Sequence, residues 1–204
     1  MLISFEGIDG CGKSTQISRL AHWLEERGHH TQTFREPGGT ELSEAIRSLL
    51  LDRSSHIHPL AETLLFSAAR AQLVSEKLQP LLKEGVVVIL DRFYDSTTAY
   101  QGFGRRVLAP KKLESLHHLA TDGTEPDITF YLRTDPVTAA RRRQGNGDPD
   151  RMEEAGDAFF SRVCLGYDQL SEQHARVVTV DGTMEEQHVF SQICSKLLER
   201  FPQI

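Results

Sequence analysis

The chain has 204 residues, 39% hydrophobic and 25% charged, which excludes wholesale disorder and fibrous repeats and suits one α/β domain over residues 1–204. A formal net charge of −6 argues against a long nucleic-acid polymer as partner. The 23 basic residues are 17 Arg and 6 Lys, an excess that reflects either genomic codon habit or arginines gathered at an anion site.

The N-terminus carries no basic leader and no apolar run near the roughly 20 residues that span a bilayer. Cys11, Cys164 and Cys194 form no CxxC pair, so neither a disulfide framework nor structural zinc is expected, and no membrane association. A reducing, cytoplasmic setting fits. Residues 2–6 form a short apolar run that ends in a glycine-rich turn, and they predict a buried strand. Helical spacing of Ile17, Leu20, Ala21 and Leu24 predicts a helix over 13–27, stopped by Gly28. A second strand is expected at 31–34. One helix follows around Leu42, Ile46, Leu49 and Leu50, and a longer one over 61–82 that Pro80 should kink or shorten. Residues 86–90 are continuously apolar, as in a strand covered on both faces. Further strands are expected at 127–132 and 176–180, each with a helical pattern behind it. The alternation predicts a five-stranded parallel sheet with helices on both faces. The Gly/Asp/Pro-rich stretch over 144–150 reads as a loop within a short lid, at about 138–154.

Gly7-Ile8-Asp9-Gly10-Cys11-Gly12-Lys13-Ser14, followed by Thr15, matches G-x-x-x-x-G-K-[ST] between a predicted strand and a predicted helix. The glycines let successive N–H groups point inward at phosphate oxygens, and the helix start adds its positive dipole end. Lys13 can reach β- and γ-phosphates, and the Ser14 hydroxyl can ligate Mg²⁺. Cys11 reads either as a reactive thiol or, preferably, as a small loop filler. The strand at 86–90 ends in Asp91-Arg92. The carboxylate stands where an acidic group can approach Mg²⁺ or its water, and the adjacent guanidinium suggests a second anionic substrate.

Six segments together resemble the thymidylate kinase family. They are Phe5-Glu6-Gly7 through Ser14-Thr15, Phe34-Arg35-Glu36-Pro37-Gly38-Gly39-Thr40, Leu65-Phe66-Ser67-Ala68-Ala69-Arg70, Asp91-Arg92-Phe93, Ala99-Tyr100-Gln101-Gly102 and Asp150-Arg151-Met152-Glu153. The resemblance implies a P-loop NTPase fold, ATP and dTMP as substrates, Mg²⁺ as cofactor and a homodimer. It implies that Phe66 stacks on thymine and Arg70 donates to the base's carbonyl edge. Arg92 and Arg35 would hold the dTMP phosphate, and Asp9 the deoxyribose 3′-hydroxyl. Tyr100 would crowd the 2′ position, Thr97 and Gln101 would touch the base, and Asp181-Gly182-Thr183 would border the adenine. Gly10 stands where one kind of family member carries a loop arginine, so this chain resembles the lid-arginine kind. Arg143, then Arg142, are the leading candidates for the catalytic arginine, with Arg141 and Arg151 behind them. Gln144-Gly145-Asn146 is non-basic where such relatives often keep Arg.

Other features carry less. Arg151 beside Glu153 reads as an ion pair at the lid hinge. His56-x-His58 and His117-His118 lack companion ligands at metal-binding spacing. A GTP-binding switch would want N-K-x-D, which does not occur in the chain. A kinase for another nucleotide base is the remaining alternative.

Overall fold

A computed structural model describes residues 1–143, 151–152 and 156–204. Five strands, β1 (Leu2–Glu6), β2 (Thr31–Arg35), β3 (Val87–Asp91), β4 (Ile128–Arg133) and β5 (Val177–Asp181), form one parallel sheet ordered β2-β3-β1-β4-β5. All five predicted strands are present. Three of them, β3, β4 and β5, start and end one residue later than apolarity indicates, and β2 gains Arg35. The parallel ladder carries pairing into the polar residues at the sheet's C-terminal edge, where Asp91 pairs in register with both Phe5 and Arg35. β1 and β3 are buried nearly throughout, with Ile3, Phe5, Val88, Ile89 and Leu90 fully enclosed.

Chain order reverses at β1. The connection after β1 leads to β2 beyond β3, whereas β3 leads across β1 to β4. In such sheets the crevice outside the carboxyl ends at the reversal takes the ligand. The phosphate loop follows β1 into α1 (Lys13–Glu25), and Arg92 follows β3 directly. α1 stops where Gly28 adopts a φ of 86°, a left-handed turn that a glycine enters without strain.

α2 (Glu41–Leu51) is capped by Thr40, whose side chain accepts from the Ser43 amide. α3 (Pro59–Leu73) begins two residues before the expected start, because Pro59 sits at a first-turn position where its missing N–H costs nothing. Pro80 does not shorten the helix. The backbone widens into a π-turn over Val74–Leu78 and continues as α4 (Gln79–Lys83), with Pro80 in the first turn of α4. A helical segment without clear periodicity follows β3: α5 (Tyr94–Thr97) runs into a second π-turn, Thr98–Gly104, which carries Tyr100 and Gln101. The remaining helices are α6 (Pro110–Thr121), α7 (Pro136–Arg143), α8 (Asp157–Gln173) and α9 (Glu186–Arg200). No helix of the described residues is long and apolar enough to cross a membrane. Of the expected lid at 138–154, residues 144–150 and 153–154 lie outside the described residues.

Candidate active site

The phosphate loop is closed on itself. Lys13, buried at the start of α1, donates to the Gly7 carbonyl at 3.1 Å and the Ile8 carbonyl at 3.4 Å. Ser14 Oγ donates to Asp91 at 3.0 Å, and Lys13 Nζ lies 3.9 Å from the same carboxylate, so both residues expected at the metal converge. Gly10 has a φ of 85°, and a Cβ there would come within 2.4 Å of the Ala139 carbonyl. Helix α7 thus rests directly on the loop, and a side chain at position 10 would push it away. Cys11 is buried, its sulfur behind Gly7, and burial pushes its thiol up. That is the environment of a filler.

Arg92 occupies left-handed backbone at φ 73°, a conformation that bulky residues adopt only where the surroundings enforce it. The enforcing contacts are visible. Its Nη1 donates to Ser96 Oγ at 3.1 Å and Tyr167 Oη at 3.3 Å, and its Nη2 to Asp9 at 2.7 Å and Tyr100 Oη at 3.1 Å. Behind it, Glu6 is fully enclosed and accepts from the Phe93 amide at 2.7 Å, Ser96 at 2.6 Å and Tyr167 at 3.0 Å. Burial and the nearby Asp95 charge push Glu6 up to about 7 against the opposing pull of Ser96, Arg92 and the Phe93 amide. Asp9 behaves oppositely. Burial disfavours its charge, but Arg92, Lys13 and Arg143 together hold its carboxyl well below the usual range.

Two cavities meet at this arginine. One is lined by Gly10, Gly12, Lys13, Ser14, Arg35 and Asp91, the other by Phe66, Arg70, Thr97, Tyr100 and Gln101, and Asp9, Glu36, Arg47 and Arg92 border both. Within the second cavity Arg70 is 1% exposed, fixed by Glu36 at 2.8 Å and 2.5 Å and by Thr97 at 3.1 Å. Gln101 Nε2 donates to Glu62 at 3.0 Å. Arg35 stands on the rim of the first cavity, paired with Glu44 at 2.9 Å, rather than beside Phe66.

The arginines of α7 diverge as helical spacing requires. Arg142 donates to the Gly182 carbonyl at 2.6 Å and the Thr183 carbonyl at 3.2 Å, so it belongs to the turn after β5. That turn packs on the phosphate loop, since a Cβ at Gly182 would approach the Cys11 carbonyl to 3.3 Å. Asp181 itself closes the turn by accepting from Thr183. Arg143 lies over the Phe160 ring with its Cγ against Gly10. Arg141 is exposed. Arg151 is described, whereas its expected partner Glu153 lies outside the described residues. Its guanidinium is 2.6 Å from Glu62 and donates to the Leu50 carbonyl at 2.8 Å, which ties the segment before α8 to α2 and α3.

Two site residues were not singled out by the sequence. Arg47, which belongs to none of the motifs, borders both cavities and donates to the Pro37 carbonyl at 3.0 Å. Its position one turn beyond buried Ser43, on the edge of the inward face of α2, was the available signal. Glu62 is a buried acid inside a helix, and nothing in the local pattern marks it. Arg19 and Arg27 do stay outside the cleft, over Phe190 and Trp23 respectively.

The family model described as Thymidylate kinase matches residues 5–193. The chain belongs to the thymidylate kinase family. It is 47% identical to a curated thymidylate kinase of Chlorobium chlorochromatii over 97% of this chain and 96% of that one. It is 43% identical to that of a Thermoanaerobacter species over 94% of each chain. Among solved structures, the crystal structure of thymidylate kinase from Ehrlichia chaffeensis superposes with a TM-score of 0.78 at 33% identity, covering 97% of both chains.

Proposed function

We propose that the cleft transfers the γ-phosphoryl group of ATP to dTMP, giving ADP and dTDP, with Arg92 as the contact shared by donor and acceptor. The observation that carries this reading is the junction itself. A phosphate-binding loop and a cavity with an aromatic ring, a buried arginine and an amide meet at the Arg92–Asp9 pair. Phosphoryl transfer asks for alignment and charge neutralisation rather than covalent participation, and a junction of this kind supplies both.

In this reading the loop amides and Lys13 hold the β- and γ-phosphates, and Asp181, Gly182 and Thr183 border the adenine. Phe66 stacks on thymine, Arg70 donates to its carbonyl edge, and Thr97 and Gln101 face the base. Tyr100, pinned between Arg92 and Asp9, leaves no room for a 2′-hydroxyl, while Asp9 takes the 3′-hydroxyl. Arg92 binds the acceptor phosphate, assisted from the rim by Arg35. Arg143, whose Cγ packs against Gly10 of the loop, neutralises charge on the transferring group. The oxygens of Ser14 and Asp91 would hold Mg²⁺, which prefers hard oxygen ligands. Bound there, the metal would supply charge neutralisation to the ATP phosphates. Residues 1–204 act as one domain with a lid at about 138–154, and the three free cysteines suit the cytoplasm. Exposed Leu42 and Leu49 on α2, and Leu60 and Leu64 on α3, recur at helical spacing and supply a homodimer face.

An adenosine–thymidine oligophosphate long enough to span both cavities tests the shared junction. Competition against ATP and against dTMP alike is expected; competition against only one of them contradicts the reading.

A further inference from the structure

Glu62 sits on α3, 1% exposed, and gathers three donors. Arg151 Nη2 lies 2.6 Å from one oxygen, while Gln101 Nε2 at 3.0 Å and Arg105 Nε at 3.4 Å share the other. A carboxylate between two guanidiniums accepts hydrogen bonds and has none to donate. The Gln101 amide therefore turns its NH₂ toward Glu62. Its Oε1 is left as the free end of a side chain that lines the Phe66 cavity, and no donor from the described residues reaches it. Arg70, on the same cavity, can only donate, and Glu36 and Thr97 fix its fork.

We propose that Glu62 is the positioning residue that sets the sense of base recognition, because by holding the Gln101 nitrogen it commits the amide oxygen to the base. The proposal rests on the reading that this cavity takes the dTMP base. The cleft then offers an acceptor beside the Arg70 donor. Thymine presents the complement, an N3–H donor next to the O4 acceptor. Cytosine presents the reverse, an N3 acceptor next to an N4 amino donor, and would leave two buried groups unpaired. With Gln in place of Glu62, the residue can donate as well as accept. The Gln101 amide is then free to turn over, and the acceptor is no longer enforced.

The test is steady-state kinetics of the full chain and its Glu62→Gln variant with ATP and, separately, dTMP, dCMP and N3-methyl-dTMP, which lacks the N3–H. For Glu62→Gln, the KM for dTMP should rise about 10- to 100-fold. The KM for ATP should stay near its original value. The dTMP preference over dCMP and over N3-methyl-dTMP should narrow. A purely structural role would depress all substrates together, and unchanged preference ratios overturn the proposal. Gln101→Leu separates the two levels. If it leaves the KM for dTMP unchanged, the base-cavity reading fails; if it raises that KM while Glu62→Gln does not, only the role of Glu62 fails. Should Glu62→Gln not fold, the ¹⁵N-labelled wild-type protein decides. The Gln101 side-chain amide, assigned by its loss in Gln101→Leu, should be protected from hydrogen exchange before dTMP is added. Exchange at the rate of an exposed amide overturns the proposal.

Discussion

Holding Arg92 at a φ of 73° costs about 1–3 kcal/mol, which the contacts to Asp9, Ser96, Tyr100 and Tyr167 must offset. The same contacts aim the guanidinium at the junction of the cavities, so backbone strain and the placement of the charge share one cause. Arg92→Ala is expected to lower kcat/KM for dTMP by about three powers of ten or more while leaving the fold intact, judged by circular dichroism. Lys13→Ala should be comparably damaging, and near-normal turnover in either variant would remove that residue from its assigned role. Alanine substitution of Arg141, Arg142, Arg143 and Arg151 one at a time separates the lid arginines. Arg143 packs against Gly10 and influences Asp9, so it should show the dominant loss of kcat. Arg142, spent on the carbonyls of Gly182 and Thr183, should act mainly on the KM for ATP. A dominant kcat loss at Arg142 would reverse that assignment.

At the scale of elements, α6 supports the helical segment that carries Tyr100 and Gln101. His117 of α6 is buried, stacks on Tyr94 at 5.2 Å and shares a 2.8 Å hydrogen bond with Thr98. Burial, reinforced by Arg70 and Arg176, lowers the imidazole to about 3 from its usual 6.5, so the folded protein keeps it neutral where the unfolded chain protonates it. Its contribution to stability is complete above about pH 6.5 and is lost as pH falls toward 3. Denaturant unfolding of the wild type and of His117→Gln across that window should show a shallower acid loss in the variant; parallel curves would contradict the placement. Strands and their order of appearance were legible because a buried parallel sheet needs unbroken apolar runs. Their last residues were not, since Arg35, Asp91 and Asp181 pair in the ladder for reasons of register. The segment after β3 was also illegible, because its π-turn breaks the 3.6-residue period by which helices are read. In the site, the loop glycines and Asp91-Arg92 stood out because they are contiguous. Arg47 borders the cleft from α2 and Glu62 stands behind Gln101 on α3, and only the packing of those helices brings them there.

For the whole molecule, a net charge of −6 coexists with a cationic cleft because a few arginines face inward while acidic side chains cover the remainder. Arg47, Arg70, Arg92 and Arg142 converge there from four separate elements or their flanks, which answers the arginine excess better at the cleft than on the outer helices. Leu42 and Leu49 recur at one-face spacing on α2, and Leu64 stands exposed on α3. For the proposed homodimer face, Leu49→Glu combined with Leu64→Glu should halve the mass seen in sedimentation equilibrium; an unchanged mass would contradict that face. The most direct test of the central claim is initial-rate measurement with ATP, Mg²⁺ and a panel of nucleoside monophosphates. The highest kcat/KM is expected for dTMP, with dTDP and ADP formed in equal amounts. Preference for any other base, or ATP consumed without dTDP, would contradict it.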